Sequence, residues 1–167
     1  MFLLKKFEKS DHRNGTIFQR VTWYVISSIF FETNIPFPKS IKIMFLKVFG
    51  GEIGDGLVIK PSVKIKYPWN LRIAKHVWIG ERVWIDNMDI VEIRENVCIS
   101  QNTMLQTGSH DFKSIGFELI TKPILIQSDS WVGCGCLILP GTTIETGSIF
   151  YGGSIIRNGT TANAKVS

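Results

Sequence analysis

Residues 77–87, VWIGERVWIDN, state one pattern twice. Ile79 and Ile85 stand six positions apart, Val77 and Val83 precede them by two, and Gly80 follows the first directly. The six-residue phase continues in both directions. It runs through Ile53, Ile59 and Ile65, then Ile73, Ile79 and Ile85, then Ile93, Ile99 and Leu105. After a gap it resumes at Ile126, Val132 and Ile138, and then at Ile144, Phe150 and Ile156. Two places before many of these stands a small or β-branched residue: Val63, Val77, Val83, Val97, Thr103, Ser130, Cys136, Thr142, Ser148 and Ser154. Gly54, Gly80 and Gly133 each follow a repeat residue.

A chain that bends every six residues closes a triangle in three short strands. Stacked triangles make three parallel sheets, with the repeat aliphatic pointing inward and the small residue filling the corner. No single coil buries its apolar face, so several must stack. β-Branched residues suit the inward columns of such a pleat. A β-sandwich would instead show period two, broken by turns every 8–12 residues or so. The expected fold class is therefore all-β, a parallel β-helix of about five coils, one for each set of three.

Departures from the period are informative. Ile53, Ile73 and Ile93 are 20 apart, whereas Ile126 and Ile144 are 18 apart. The two extra residues fall around Trp69–Leu71 and Asp89–Val91 and are expected to bulge outward at one corner, stacked on each other. Leu105 and Ile126 are 21 apart, which leaves an extended loop at roughly 108–123. Loops of this size in a compact domain usually carry function.

Residues 1–50 read as an N-terminal helical segment and 51–167 as the β-helix domain. Residues 16–31, TIFQRVTWYVISSIFF, form one expected helix with Ile17, Val21, Tyr24, Val25 and Ser28 near one face. The run NIPFP, 34–38, stops it. A second helix is expected from about Ser40 to Phe49, with Ser40 as its cap and Gly50-Gly51 at its end. These helices would cover the open end of coil one, where strand edges would otherwise be exposed.

The formal net charge of +5 is unevenly placed. Residues 1–50 hold eight Lys/Arg against three Asp/Glu, and the rest holds eleven of each. A nucleic-acid module would carry its basic charge on the main domain. A basic, apolar N-terminus suits either an anionic membrane surface or a helix with a solvated basic face. The apolar run from Val21 to Phe31 covers 11 residues. A spanning helix needs roughly 20. No cleavable leader pattern is present. Cys98, Cys134 and Cys136 form neither a disulfide framework nor a zinc motif, which fits reduced thiols and a cytoplasmic location.

Three histidines are available. His12 lies in a polar stretch and His76 falls mid-hexapeptide, where it should point outward. His110 stands in TGSHD, 107–111, and opens the long insertion. An imidazole there could take a proton near neutral pH. Elsewhere a loop histidine is more often simply solvated. Asp86 and Asn87 lie one coil earlier, near the start of the insertion. They could orient the imidazole or bind a polyol, or they could satisfy turn backbone. No metal is expected, because His76 and His110 are 34 apart with no third histidine nearby. No phosphate-loop or dinucleotide fingerprint occurs.

The hexapeptide coils, the insertion opening on Ser109-His110-Asp111 and the run Trp131-Val132-Gly133 resemble the hexapeptide-repeat acyltransferases, in the branch of galactoside and nodulation acetyltransferases. The runs Ile59-Lys60-Pro61, Lys66-Tyr67-Pro68-Trp69 and Val97-Cys98-Ile99-Ser100-Gln101 are similar to a group assigned to colanic acid biosynthesis. The resemblance implies a left-handed β-helix, a homotrimer with sites between subunits, and direct acetyl transfer from acetyl-CoA to a sugar hydroxyl in exopolysaccharide or capsule assembly. It implies His110 as general base, Asp86, Asn87 and Asp111 at the acceptor, and Cys134, Gly152 and Arg157 at the coenzyme. The tail NGTTANAKVS, 158–167, is short and lacks the proline of relatives, which bears on the adenine end of that site. Two alternatives follow: a non-catalytic trimeric scaffold at the membrane surface, and an acyltransferase for an amino sugar or serine.

Overall fold

The computed structural model describes residues 15–165. Two helices come first, α1 (Ile17–Phe30) and α2 (Lys39–Val48). Coil one is β1 (Glu52–Ile53), β2 (Val58–Ile59) and β3 (Lys64–Ile65). Coil two is β4 (Leu71–Ile73), β5 (Trp78–Ile79) and β6 (Trp84–Asp86). Coil three is β7 (Val91–Ile93), β8 (Cys98–Ile99) and β9 (Met104–Gln106). A hairpin then leaves the solenoid as β10 (Gly108–His110) and β11 (Leu119–Thr121). Coil four is β12 (Ile124–Ile126), β13 (Trp131–Val132) and β14 (Leu137–Ile138). Coil five is β15 (Thr143–Ile144), β16 (Ser148–Phe150) and β17 (Ile155–Ile156), followed by β18 (Ala164–Lys165).

Every coil places its strands on the same three faces. The first face runs β1-β4-β7-β12-β15, the second β2-β5-β8-β13-β16 and the third β3-β6-β9-β14-β17. The repeat aliphatics pair in register, as in Ile79 with Ile99 and Ile85 with Leu105, and all are buried. The small residues that precede them are buried too, except the half-exposed Ser154.

A further regularity lies three residues after each repeat aliphatic, where the backbone turns with positive φ. Glycine serves at Gly56, Gly135, Gly141, Gly147, Gly153 and Gly159, while Ser62, His76, Arg82, Asn96, Asn102 and Asp129 do so at φ of 55–60°. This left-handed conformation makes the corner and costs most residues stability. The pattern fails after Ile65, Ile85 and Leu105. All three positions lie on the corner between the third and first faces, where the period lengthens.

There the extra residues do more than bulge outward. A short 3₁₀ turn, Pro68–Asn70, leads into Leu71, and the next coil's bend leads into Val91. Leu71, Val91 and Ile124 stack in register and are buried, so the longer coils gain a second inward column. The bulges themselves are stacked, since Asn70 Nδ2 donates to the carbonyls of Asn87 and Met88.

The helices close the prism at coil one. Trp23, Phe31 and Leu46 join its core, and Trp23 Nε1 donates to the Ile65 carbonyl at 2.8 Å. Lys42 is buried as well, with its ammonium 3.2 Å from the Lys60 carbonyl and over the Phe31 ring. Desolvation lowers its pKa. One expectation needs correction. Pro38, not Ser40, occupies the cap position of α2, and no side chain caps the helix, because a proline side chain has no acceptor to offer. The inward side of α1 is Trp23 and Ser27, flanked by Ile26 and Phe30, whereas Ile17, Val21, Tyr24, Val25 and Ser28 face out. At the other end the tail folds back, with β18 antiparallel to β16 and Ala162 against the core.

Candidate active site

The insertion is a two-stranded arm. β10 and β11 pair antiparallel, with His110 opposite Leu119. Its root is fixed by Thr107, which is fully buried. Thr107 donates from its amide and hydroxyl to the Asp86 carbonyl, and its hydroxyl accepts the Asp89 amide at 2.9 Å. Gln106 adds a bond from Nε2 to the Gly108 carbonyl. The arm is thus tied to the preceding coil before it departs, and Phe112 and Ile115 near its tip are exposed.

His110 is half-buried and stacked on Phe117, with centroids 4.4 Å apart and planes 2° from parallel. Its Nδ1 lies 2.8 Å from the Phe117 carbonyl. A carbonyl only accepts, so Nδ1 carries the proton of this bond, and a neutral ring then holds its lone pair on Nε2. Phe117 adopts φ of +50° to aim that carbonyl. Phe117 was not legible beforehand as a partner, because nothing in the spacing shows that the arm returns over His110.

Asp86 pairs with Gln106 across the third face, one residue from the arm's root. Lys66 Nζ approaches its Oδ1 at 2.8 Å, close as an ion pair but not aimed as a hydrogen bond. Asn87 is fully buried, and its amide clasps the Tyr67 backbone, accepting from N at 3.0 Å and donating to O at 2.6 Å. Of the two roles offered for Asn87, this is the turn-satisfying one. Asp111 Oδ1 accepts the Lys113 amide and shapes the arm's turn.

Cys134 and Gly152 come together at the corner between the second and third faces, in successive coils. A Cβ on Gly152 would lie 3.0 Å from both O and Sγ of Cys134, and Gly153 N donates to the Cys134 carbonyl. Gly135 and Gly153 follow with open space where side chains would stand. The result is a strip of exposed backbone almost without side chains. Arg157 leaves elsewhere, at the arm's corner two coils further on, with its amide bound to Thr160 Oγ1. Burial raises the thiol pKa values of Cys98 and Cys136, which disfavours either as a thiolate nucleophile. Among the described residues, no three His, Cys, Asp or Glu side chains converge as metal ligands do.

No family model matches the chain. A relative in Escherichia coli K12 carrying the name of a colanic acid biosynthesis acetyltransferase, WcaF, is 32% identical over 137 residues, 82% of this chain and 75% of its own. The galactoside O-acetyltransferase of the same organism is 27% identical over 77% of this chain and 66% of its own. Among solved structures, a hexapeptide-repeat acetyltransferase of Vibrio cholerae complexed with acetyl-coenzyme A superposes with a TM-score of 0.76 at 23% identity, over 90% of this chain and 83% of that one. A galactoside acetyltransferase in complex with coenzyme A gives 0.73 at 23% identity, over 87% and 74% of the two chains. With its stacked triangular coils and an identity above 30% across most of a curated acetyltransferase, this chain belongs to the hexapeptide-repeat acetyltransferases.

Proposed function

We propose that the protein transfers an acetyl group from acetyl-CoA to a hydroxyl of a sugar, with His110 as general base. The observation that carries this reading is the bond from His110 Nδ1 to the Phe117 carbonyl on a projecting arm. It holds the ring in the tautomer that leaves the Nε2 lone pair to accept a proton. In the step, Nε2 takes the acceptor hydroxyl's proton as its oxygen attacks the thioester carbonyl. The tetrahedral oxyanion then collapses, the C–S bond breaks, and the imidazolium returns the proton to the departing CoA thiolate. The side-chain-poor strip at Cys134, Gly135, Gly152 and Gly153 suits a pantetheine arm lying on backbone, while Arg157, on the arm's corner with His110, would reach the phosphates from a neighbouring copy. Asp86 and Asp111 flank the arm's base, where an acceptor polyol would enter. The sugar reading draws on the kinship with the colanic acid and galactoside enzymes.

The site is proposed to form between copies in a homotrimer. His110 and Cys134 leave the prism at different corners, so one chain keeps its base and its coenzyme strip apart. The outward columns support such packing. The second face presents Val58, Trp78, Cys98, Trp131 and Ile149, and the third Lys64, Trp84, Met104, Leu137 and Ile155. The first face instead presents Glu52, Arg72 and Glu92, with Arg72 paired to Glu52 at 3.2 Å. Two apolar faces on one edge allow the third face of one copy to meet the second face of the next, a ring that closes at three.

The test is His110→Ala and His110→Asn in a free-thiol assay with acetyl-CoA and a panel of sugars. A drop in kcat of about 10²–10⁴-fold is expected, with unchanged circular dichroism and mass in solution. Full activity in His110→Ala would overturn the mechanism.

A further inference from the structure

The outer side of α1 is the largest apolar feature that the proposed chemistry does not use. At 100° per residue, Ile17, Phe18, Val21, Tyr24, Val25 and Ile29 cover an arc of roughly 140°. All are exposed, Phe18 by 80% and Tyr24 by 70%. The opposite side is already spent on the core through Trp23, Ile26 and Phe30. A helix with two broad apolar sides normally has both covered, within a protein or by lipid. Here one side has no cover among the described residues.

Charge indicates which cover fits. Neither α1 nor α2 contains an acidic residue, while together they hold Arg20, Lys39 and Lys47 besides the buried Lys42. Residues 1–50 carry the whole positive excess of the chain, eight basic against three acidic. An apolar stripe with Arg20 at its edge, on a segment with a basic excess, matches an interface of acyl chains and anionic headgroups. Fourteen residues in α1 reach about 21 Å at 1.5 Å per residue. That is short of the roughly 30 Å hydrocarbon core, and no helix among the described residues is long and apolar enough to cross it. The helix would lie in the surface and not span it. A second copy is the weaker occupant, because α1 sits over the end of coil one and the prism's sides already offer two apolar columns for self-association.

We infer that the outer side of α1 docks the enzyme peripherally on an anionic lipid surface. In a trimer three such helices would act together, so that weak single contacts sum to firm binding. The test is flotation of the full chain with vesicles of phosphatidylcholine alone or mixed with phosphatidylglycerol, at low and high salt. The wild-type chain should float with the mixed vesicles at least about tenfold more than with the neutral ones, and high salt should reduce the difference. The double variant Val21→Glu/Val25→Glu should lose flotation while keeping its light-scattering mass and its turnover of a soluble acceptor. Absence of wild-type flotation on the mixed vesicles would overturn the inference, as would undiminished flotation of the variant. A fall in the variant's oligomeric mass would also overturn it, by assigning the surface to contact between copies. None of the overturning outcomes depends on His110 chemistry.

Discussion

The first three coils and the last two obey one rule and use it differently. In the early coils most left-handed corner positions hold side chains, and these bond along the prism. Ser62 Oγ meets Asn34 Oδ1 at 2.6 Å, Arg82 Nε donates to Asn102 Oδ1 at 2.8 Å, and Asn96 Nδ2 donates to Asp129 Oδ1 at 2.7 Å. From Gly135 onward every such position is glycine. The early coils also lengthen at the corner between the third and first faces, where the 3₁₀ turn, the Asn87 clasp and finally the arm are built one above another. The late coils return to the bare period of 18. The comparison separates two kinds of corner: one that supports an appended element, and one that leaves backbone uncovered, as the proposed coenzyme strip requires.

The early corner breaks most severely at Asn87. Asn87→Ala strands the Tyr67 amide, worth about 1–3 kcal/mol when left unsatisfied, and vacates a fully buried site, while the Tyr67 carbonyl keeps the Asn70 amide as donor. A loss of about 2–4 kcal/mol is expected from the stranded amide and the vacated volume, read as a large fall in Tm. Asn87→Asp should recover part of it only at acid pH, where Oδ1 still accepts from Tyr67 N and a protonated Oδ2 donates to the Tyr67 carbonyl. A variant that melts like wild type would show that the clasp supports nothing. The late corner breaks next, at Gly133. A Cβ there would stand 2.6 Å from Gly152 N and 2.7 Å from Phe150 O, both backbone of the next coil. Gly133→Ala should cost about 1–3 kcal/mol by forcing two coils apart, and thermal denaturation checks it.

Much of this was readable from residue order, and the parts that were not have physical reasons. The stacked aliphatics showed themselves because a solenoid repeats one environment, so each column is written into the chain at a fixed interval. The prediction that Asp86 and Asn87 lie by the arm's root followed from the same register. The inward side of α1 was hidden because both sides are apolar, and only the prism end decides that Trp23 and Ser27 turn in. In the sequence Leu71 and Val91 group with the bulge, because a two-residue extension shifts the phase and phase alone does not tell a bulge from a longer strand. The antiparallel arm has no marked alternation, and Phe117 reaches His110 through a turn that only tertiary structure specifies.

The smallest effect tests the comparison most sharply, because it exchanges the two corner types on one column. Asn102 and Gly135 occupy the same corner in coils three and four, at φ of 59° and 66°. Asparagine tolerates this conformation better than other side chains, and nothing lies within 4 Å of a Cβ built at Gly135. Asn102→Gly forfeits only the exposed bond from Arg82, so its stability should stay within about 1 kcal/mol of wild type. Gly135→Asn should cost about as little in Tm, for want of anything to strike. If glycine is there only to turn the chain, both variants keep the wild-type KM for acetyl-CoA. If the bare strip is the coenzyme's bed, Gly135→Asn raises that KM severalfold and Asn102→Gly leaves it alone. The asymmetry between two substitutions of nearly equal stability separates a corner shaped for folding from one kept clear for a substrate.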